Sequence, residues 1–497
     1  MASTTAQIVF FAYLLGVLAI GVYAARFTKH TPNDFYLADR SVGTVVLALT
    51  LAATVLSAFT VFGIGESTAA GGLATFSFLA VAAVLYPLFF ATVGVALMDI
   101  GRNRAILTPS EYIRERYDSA ALGVLYLAVT GIFILALIAG QLIGGGIALE
   151  VLLDIPYIPA VLLMATFMLL YIHIAGYRGV IWSDAIQSAV LLAVLAGVVG
   201  YLALGFGETD GTTLATDALA ETDGLFDLAG PEGGASAIFV ITAALAFAFG
   251  VPGYPHTIQR YFSARDADVM RRSGFVFALV AIPIYLFGAI LGVWSVGVLD
   301  FGAIENTDHV IPLLVEALFH PVVFGLVMAG ATAAIMSTAD SAALTMSSML
   351  SRDVYREFVD PQATPFREVR ITQVLLVGLI VLAVGLALLQ PAGIFALIAF
   401  AVVGFATTSA PVFLGAFWDR GTAAGSAASL IFGPGITILL FLEVSFLERS
   451  GLFAEIHYGF IGVVVAYGCY IGVSLLTSAP SADAVDEHSQ AFWNRAD

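Results

Sequence analysis

Charged side chains are scarce in this sequence: Asp, Glu, Lys and Arg make up 11% of the 497 residues, whereas 60% are hydrophobic. A soluble domain carries about a quarter charged residues, so this composition excludes a soluble globular protein. The single cysteine, Cys469, excludes an intramolecular disulfide and a cysteine-ligated metal cluster. Seven scattered histidines are too few for a haem or zinc constellation. What remains is a polytopic membrane protein, with lipid as a partner.

Positive charge is the rarer sign, with 19 basic against 36 acidic residues and Lys29 as the one lysine. Binding to nucleic acid or to an anionic membrane surface requires the opposite balance, so we expect no nucleic-acid partner. An excess of acidic residues is typical of an organism whose whole proteome is acidic. We therefore expect a salt-loving archaeon as the source.

Apolar windows of about 20 residues, each long enough to cross a bilayer, predict thirteen spans. The predicted spans are residues 6–27, 42–70, 73–100, 119–150, 157–176, 180–205, 235–262, 273–299, 321–350, 369–390, 393–419, 422–446 and 454–477. The first lacks a basic n-region and a small-residue cleavage site, so we expect a retained span instead of a signal peptide.

The basic residues predict the orientation. With the N-terminus outside and the C-terminus in the cytoplasm, eighteen of the nineteen, Arg260 among them, fall on the cytoplasmic side, and Arg449 alone falls outside. We therefore expect a multi-pass plasma-membrane protein in this orientation. The acidic segment 207–234 is then external, as a solvated surface loop or as a mouth that attracts cations. The polar tail 478–497 is predicted to be cytoplasmic and disordered.

Two predicted spans carry signs of interruption. The second contains LAATVLS at 51–57 and then Gly63 and Gly65 before Glu66, and the seventh contains GVPGYPH at 250–256. Two prolines and two glycines within seven residues break a helix. Broken backbone at membrane depth persists only where it lines a cavity or is buried in protein. Paired breaks five spans apart indicate a secondary transporter built from inverted repeats.

The stretch 330–351 (GATAAIMSTADSAALTMSSMLS) is rich in small residues and hydroxyls although it lies in an apolar run. On a helix, Ala334, Ser337, Thr338 and Ser341 share one face. Such a face favours close helix packing, or it supplies oxygens to a desolvated cation. Asp340 favours the second reading, because a carboxylate at membrane depth is a functional-site candidate.

Four local motifs together resemble the sodium:solute symporter family, which includes the sodium-coupled proline, pantothenate, monocarboxylate and sugar carriers. The resemblance covers residues 6–477. The motifs are DFYLADRS at 34–41, GYRGVIWSDAIQ at 176–187, PHTIQRYFSAR at 255–265 and AIMSTADS at 334–341. The Leu85–Tyr86–Pro87–Leu88–Phe89 run and the first broken helix look most like the monocarboxylate and pantothenate branch.

The resemblance implies an all-α fold with a LeuT-like core of two inverted five-helix repeats, one helix before the core and two after it. Residues 1–477 then form one transmembrane domain. Its parts are a leading helix and connection (6–41), the first repeat (42–206), the second repeat (235–419) and two trailing helices (422–477).

The resemblance also implies a sodium site. Its ligands are the carbonyl oxygens of Ala53, Leu56 and Ala334 and the hydroxyls of Ser337 and Thr338. A candidate second cation site comprises Asp184, Asp340 and Ser341, with Ser337 shared between the two sites. Asp340 stands where such members have a hydroxyl, so two carboxylates hold another cation or share a proton there. An alternative for Asp184 is a capping or gating role.

Candidate solute-binding residues lie on the spans that the family uses for its pocket. They are Thr54, Ser57, Thr60, Tyr86, Gln141, Tyr254 and His256. Packing is the alternative for the two tyrosines, and a buried structural role is the alternative for His256. Glu66 suits an external gate or a water-exposed helix end.

The resemblance implies sodium-coupled symport of a small organic solute into the cell. No asparagine falls in a predicted span, which argues against a sugar, and we expect a monocarboxylate or related organic anion. A proline-type amino acid is the alternative, although sodium–proline carriers have Asp where Val55 stands. No nucleophile–base, metal-spacing or phosphate-loop motif suggests an enzyme. The rival class is a membrane solute sensor.

Overall fold

A computed structural model describes residues 3–27, 31–206, 209–443 and 455–480, and over these ranges the chain is helical without a strand. One isolated bridge joins Val42 to Ala264. The helices of the first half are α1 Thr4–Ala25, α2 Pro32–Leu37, α3 Thr44–Ala53, α4 Ile64–Gly71, α5 Ala74–Phe89, α6 Val95–Asn103, α7 Pro109–Tyr117, α8 Ala120–Leu153, α9 Tyr157–Ala203 and α10 Gly211–Glu221. Those of the second half are α11 Ala237–Gly253, α12 Pro255–Ser263, α13 Ala267–Val296, α14 Val310–Leu318, α15 Pro321–Met349, α16 Pro365–Leu389, α17 Ile394–Thr408, α18 Ala410–Phe417, α19 Ala423–Glu443 and α20 Tyr458–Leu476.

Ten helices in the described ranges are long and apolar enough to cross a membrane, or eleven with one bent pair. Two further predicted spans, 42–70 and 157–176, contain apolar helices of only 10–17 residues by the same measure. The total of thirteen therefore stays a prediction. Lys29, Arg449 and residues 481–497 lie outside the described ranges, so the orientation and the disordered tail stay predictions as well.

Helix α9 is assigned as 47 continuous residues, yet it does not run straight. The Tyr171 hydroxyl donates to Ser183 Oγ, twelve residues further along the chain. In a straight α-helix those residues would stand about 18 Å apart along the axis. The chain therefore bends sharply between them, so the predicted spans 157–176 and 180–205 are distinct segments.

The first predicted break is confirmed. Helix α3 ends at Ala53, and the helix resumes at residue 58 through a π-helical turn, Phe59–Gly63, that leads into α4. No proline is responsible. Side-chain hydroxyls take over backbone partners instead: Thr54 Oγ1 donates to the Leu51 carbonyl, and Ser57 N donates to Thr60 Oγ1. Short polar side chains compete with the helix in this way.

The second predicted break is also confirmed. Helices α11 and α12 meet at Tyr254 with a bend of 50°. Pro255 lacks the N–H that would continue the first helix, and it restricts the residue before it to an extended conformation. Tyr254 accordingly has φ −57° and ψ 133°.

Helix α15 lies at the centre of the bundle and is buried over most of its length, packing against α1, α8 and α9. The hydroxyl-rich stretch at 330–351 therefore faces protein instead of lipid. The acidic segment 207–234, expected as a loop, contains a helix: Asp210 caps α10, which packs on α13, and Leu225 is buried.

Close backbone contact fixes the second half of the first broken helix. A Cβ on Gly292 would lie 2.0 Å from Thr68 Oγ1 and 2.3 Å from the Gly65 carbonyl oxygen, so α13 approaches α4 only through glycine. Gly292→Ala is expected to destabilise the fold by about 1–3 kcal/mol. Thermal unfolding in detergent measures this. The control is Gly378→Ala, where a Cβ meets nothing within 4 Å. Equal melting temperatures for the two variants would contradict the close approach.

Candidate functional site

Five oxygens from the first break and from α15 converge. Ser337 Oγ lies 3.3 Å from the Ala53 carbonyl oxygen and 2.9 Å from that of Ala334. Thr338 Oγ1 lies 3.0 Å from the Ala53 oxygen and 3.1 Å from the Leu56 oxygen. The structure thus brings together all five oxygens that the sequence analysis assigned to a sodium site. Four of the residues are at most 1% exposed and Ala334 is 2% exposed.

The break explains why two of these carbonyls are available. In a continuous helix Ser57 N and Thr60 N would donate to Ala53 and Leu56. Instead, Ser57 N donates to Thr60 Oγ1 at 2.7 Å and Thr60 N donates to the Ser57 carbonyl at 3.1 Å. Unwinding therefore frees the two oxygens to face the hydroxyls of α15. A small hard cation favours such an all-oxygen shell.

A buried ion pair between α9 and α12 lies beside Ser341, one turn further along α15 than Ser337 and Thr338. Asp184 Oδ2 accepts from Arg260 Nη2 at 2.8 Å and from Thr50 Oγ1 at 2.7 Å. Arg260 Nη2 also donates to Ser341 Oγ at 2.6 Å, and Nη1 donates to the His256 carbonyl at 3.0 Å. Both charged side chains are 1% exposed. The sequence analysis assigned Arg260 to a cytoplasmic connection, whereas the structure buries it in α12. Within the described ranges, the hydrogen bonds to the Asp184 carboxylate come from side chains and not from backbone N–H groups, as a helix cap would require.

Asp340 lies beside this pair and is 1% exposed. In the described part of the chain, its Oδ1 and Asp184 Oδ1 have no hydrogen-bond partner. Asp340 also appears in no ion pair there, so Arg260 balances the charge of one carboxylate and not of two.

The central cavity adjoins the two breaks. It holds about 10 Å³, room for roughly one water molecule, so the pocket is closed to an organic solute. Its lining consists of Thr54, Val55, Ser57, Phe59, Leu137, Phe247, Val251, Tyr254, Tyr285, Ile398 and Val402.

Three of the predicted solute-binding residues, Thr54, Ser57 and Tyr254, line this cavity, and the other four do not. Thr60 Oγ1 accepts from Ser57 N, and Gln141 Oε1 accepts from Ala58 N.

Tyr86 and His256 lie in side-chain packing. Tyr86 packs against Phe277 with ring centroids 5.3 Å apart. His256 lies against Tyr254 with centroids 4.9 Å apart. Solute binding by Tyr86 and His256 stays a prediction beside the alternatives, packing for Tyr86 and a buried structural role for His256.

A larger cavity of about 340 Å³ lies on the side of the acidic segment. Phe247 lines both cavities. Its ring lies 6.1 Å from that of Phe59 and 5.2 Å from that of Phe78, and Phe59 stacks on Phe395 at 4.9 Å. This aromatic cluster is the partition between the cavities. Sequence analysis missed it, because an aromatic residue in an apolar run carries no signal that separates a cavity wall from a lipid-facing surface.

Polar contacts tie one end of the helical bundle together. Thr307 Oγ1 donates to Glu66 Oε1 at 3.2 Å, and Ile394 N donates to Asp308 Oδ1 at 3.1 Å. Burial raises the pKa of Asp308, and the bond from Ile394 N acts in the opposite direction. Glu66 is half-buried at this end of the bundle, and its role as a gate or as a water-exposed helix end stays a prediction.

Ion pairs close the opposite end. Arg352 bridges Glu111 at 3.0 Å and Glu368 at 3.3 Å, and Arg356 lies 3.2 Å from Glu368. These contacts join α7 to the segment after α15 and to α16. The sequence analysis did not identify this network, because Glu111 is 241 residues from Arg352 and charged residues in a connection carry no signal of pairing.

A helical bundle with two broken spans, a desolvated oxygen cluster and a small cavity beside both breaks is the architecture of a secondary transporter. Solved structures share the fold. A substrate-bound outward-open Na⁺-coupled sialic acid symporter aligns with a TM-score of 0.77 over 96% of this chain and 99% of that chain, at 18% identity. Mhp1, a nucleobase-cation-symport-1 family transporter, aligns with a TM-score of 0.56 over 92% and 98% of the two chains, at 14% identity.

The chain belongs to the sodium:solute symporter family, whose model matches residues 35–433. It is 30% identical to the sodium/pantothenate symporter of Haemophilus influenzae over 86% of this chain and 88% of the relative. It is 26% identical to the sodium/proline symporter of Escherichia coli over 97% and 95% of the two chains. The protein is thus a multi-pass sodium-coupled solute symporter of LeuT-like fold, and sodium is its coupling ion.

Proposed function

We propose that this symporter imports a small carboxylate-bearing solute and binds its coupling sodium at Ala53, Leu56, Ala334, Ser337 and Thr338. The observation that carries the sodium site is that each of the three carbonyl oxygens lies within 3.3 Å of the Ser337 or the Thr338 hydroxyl. Two of the oxygens belong to the break itself. An ion bound there would brace α3 against α15 and so complete the solute pocket beside it.

A carboxylate suits the adjoining pocket for two reasons. The half-helix that resumes at residue 58 points its N-terminal amides towards the break, and such an end favours a negative charge. Pantothenate and proline, named for the relatives, also share a carboxylate. A monocarboxylate is the first candidate and a proline-type amino acid the second. The reason is that Val55, an apolar residue of the cavity wall, stands where sodium–proline carriers have Asp.

Asp184, Asp340 and Ser341 form the candidate second cation site. Arg260 supplies one positive charge to this cluster, and a bound cation beside Asp340 would balance the second carboxylate.

A second sodium matters energetically. One sodium moved through about 100 mV and down a tenfold gradient yields about 3.7 kcal/mol, or about 500-fold accumulation of a neutral solute. An anion moves against the potential, so one sodium supports about tenfold accumulation and two support about 5,000-fold.

Transport would proceed by alternating access around the closed cavity. Solute would arrive from the larger cavity, pass the partition at Phe247 and displace the ion pairs at Arg352 on release. We also propose the N-out and C-in orientation, the plasma-membrane location and the halophilic source. The alternative, a membrane solute sensor, would bind its solute without transporting it.

Uptake into proteoliposomes tests the function. At high salt on both sides, an inward sodium gradient is expected to drive accumulation of one labelled solute among acetate, propionate, pyruvate, pantothenate and proline. A potassium gradient of equal size is the control. Accumulation driven equally by potassium, or binding of a solute without its accumulation, would contradict the proposal.

A further inference from the structure

The half-helix that follows the first break has its first amides already occupied. Ser57 N donates to Thr60 Oγ1 at 2.7 Å, and Phe59 N donates to Ser57 Oγ at 3.1 Å, both within the same segment. The amide between them, Ala58 N, donates at 2.9 Å to Gln141 Oε1 on α8. Of these three amides, Ala58 N alone takes its acceptor from a different helix.

Gln141 is positioned for more than this one contact. The side chain is 0% exposed, and its Nε2 has no hydrogen-bond partner in the part of the chain that the structure describes. Its residue lies one helical turn after Leu137, which lines the central cavity. A buried amide donor without a partner is costly, so it is retained where a partner arrives during function.

The acceptor at Ala58 N is weaker than the group that this position favours. A helix N-terminus stabilises a negative charge, and a hydrogen bond to a carboxylate is roughly twice as strong as one to a neutral amide oxygen. An arriving carboxylate therefore has a reason to replace the glutamine oxygen at this amide. Its second oxygen then meets the free Nε2–H.

We propose that Gln141 is a placeholder for the solute: in the closed pocket its amide oxygen accepts from Ala58 N–H, and it yields this N–H to the solute carboxylate. The inference rests on the proposed carboxylate solute and adds the residue that selects it. Gln141 accepts from Ala58 N–H, which would otherwise bind water or a solute without a carboxylate. When a carboxylate enters, the Gln141 side chain rotates and donates its own N–H to it.

Two variants separate this role from simple capping. Gln141→Glu keeps an acceptor at Ala58 N–H and makes it a carboxylate, which competes with the solute and repels it. Gln141→Leu has a similar size and removes the competing oxygen together with the donor. If Gln141 only caps Ala58 N–H, Gln141→Glu should bind solute better than Gln141→Leu does. If Gln141 is a placeholder for the solute, Gln141→Leu should bind solute better.

The measurement is sodium-dependent binding of labelled pantothenate and proline to purified protein at mildly alkaline pH. Gln141→Glu is expected to weaken binding at least about 100-fold, because the two carboxylates repel each other. Gln141→Leu is expected to weaken it by no more than about tenfold, since it loses one neutral hydrogen bond. Panthenol and prolinol, which carry an alcohol in place of the carboxylate, should bind the wild type weakly and be less affected by the glutamate.

Radioactive sodium binding without solute checks that both variants fold, and it should be preserved in each. Retained carboxylate binding in Gln141→Glu with loss in Gln141→Leu, or equal binding in both, would overturn the inference and leave the proposed function standing. Absence of carboxylate binding by the wild type would overturn both.

Discussion

Alanine at both Ser337 and Thr338 is expected to abolish sodium-driven uptake. The double variant removes the two side-chain oxygens of the proposed site and leaves the three carbonyls. A hydrogen-bonding partner of a charged group contributes about 1.5–3 kcal/mol, so sodium affinity should fall by about 10²–10⁴-fold. The measurement is uptake as a function of external sodium concentration. The sodium concentration that gives half-maximal uptake should rise beyond the accessible range.

The matched control lies on the same helix. Ser347 and Ser348 are buried on α15, but their hydroxyls donate to carbonyls of their own helix, those of Leu344 and Thr345. Ser347→Ala with Ser348→Ala is therefore expected to leave the sodium dependence of uptake unchanged. If both double variants lose uptake equally, the loss reports packing of α15 and not a sodium site.

Replacing Arg260 by leucine is expected to be the most destabilising single change. It leaves the Asp184 carboxylate buried without its cationic partner, which costs about 3–5 kcal/mol. Arg260→Leu combined with Asp184→Leu removes both charges and should recover most of that stability. Melting temperature and yield of folded protein in detergent measure the effect. Arg271→Leu is the surface control, because its pair with Asp268 is exposed and contributes at most about 1 kcal/mol.

The combined variant, Arg260→Leu with Asp184→Leu, also tests the candidate second cation site. If the combined variant folds and transports with its sodium stoichiometry unchanged, Asp184 is structural and the second site is wrong. A stoichiometry reduced by one sodium would support the assignment of Asp184, Asp340 and Ser341.

Sequence reasoning located both breaks because their causes are local. Prolines and glycines at 250–256 end α11 wherever the rest of the chain lies, and hydroxyls at 54–60 compete with the backbone of α3. The hydroxyl face of α15 was readable for the same reason, since helical spacing alone sets Ser337 beside Thr338. Its convergence with Ala53 and Leu56 came from the family resemblance and not from the local pattern.

Contacts between residues far apart in sequence could not be predicted from a single sequence. Arg260 falls near the end of a predicted span, where counting basic residues assigned it to the cytoplasm, yet its partner Asp184 is 76 residues away in sequence. The bend within α9 was predicted as two spans from hydropathy, whereas the contact from Tyr171 to Ser183 was not. The partition formed by Phe59, Phe78, Phe247 and Phe395 depends on four separate elements meeting, and hydropathy treats all four as span interior.

The most direct test of the account is equilibrium binding of radioactive sodium to purified wild-type protein, with and without the solute that it accumulates. The account predicts saturable sodium binding that the solute tightens by the same factor by which sodium tightens solute binding, because coupling between two sites is reciprocal. Both effects should vanish in Ser337→Ala with Thr338→Ala. Sodium affinity that does not change when the solute is added, or that is unchanged in the double variant, would contradict the account.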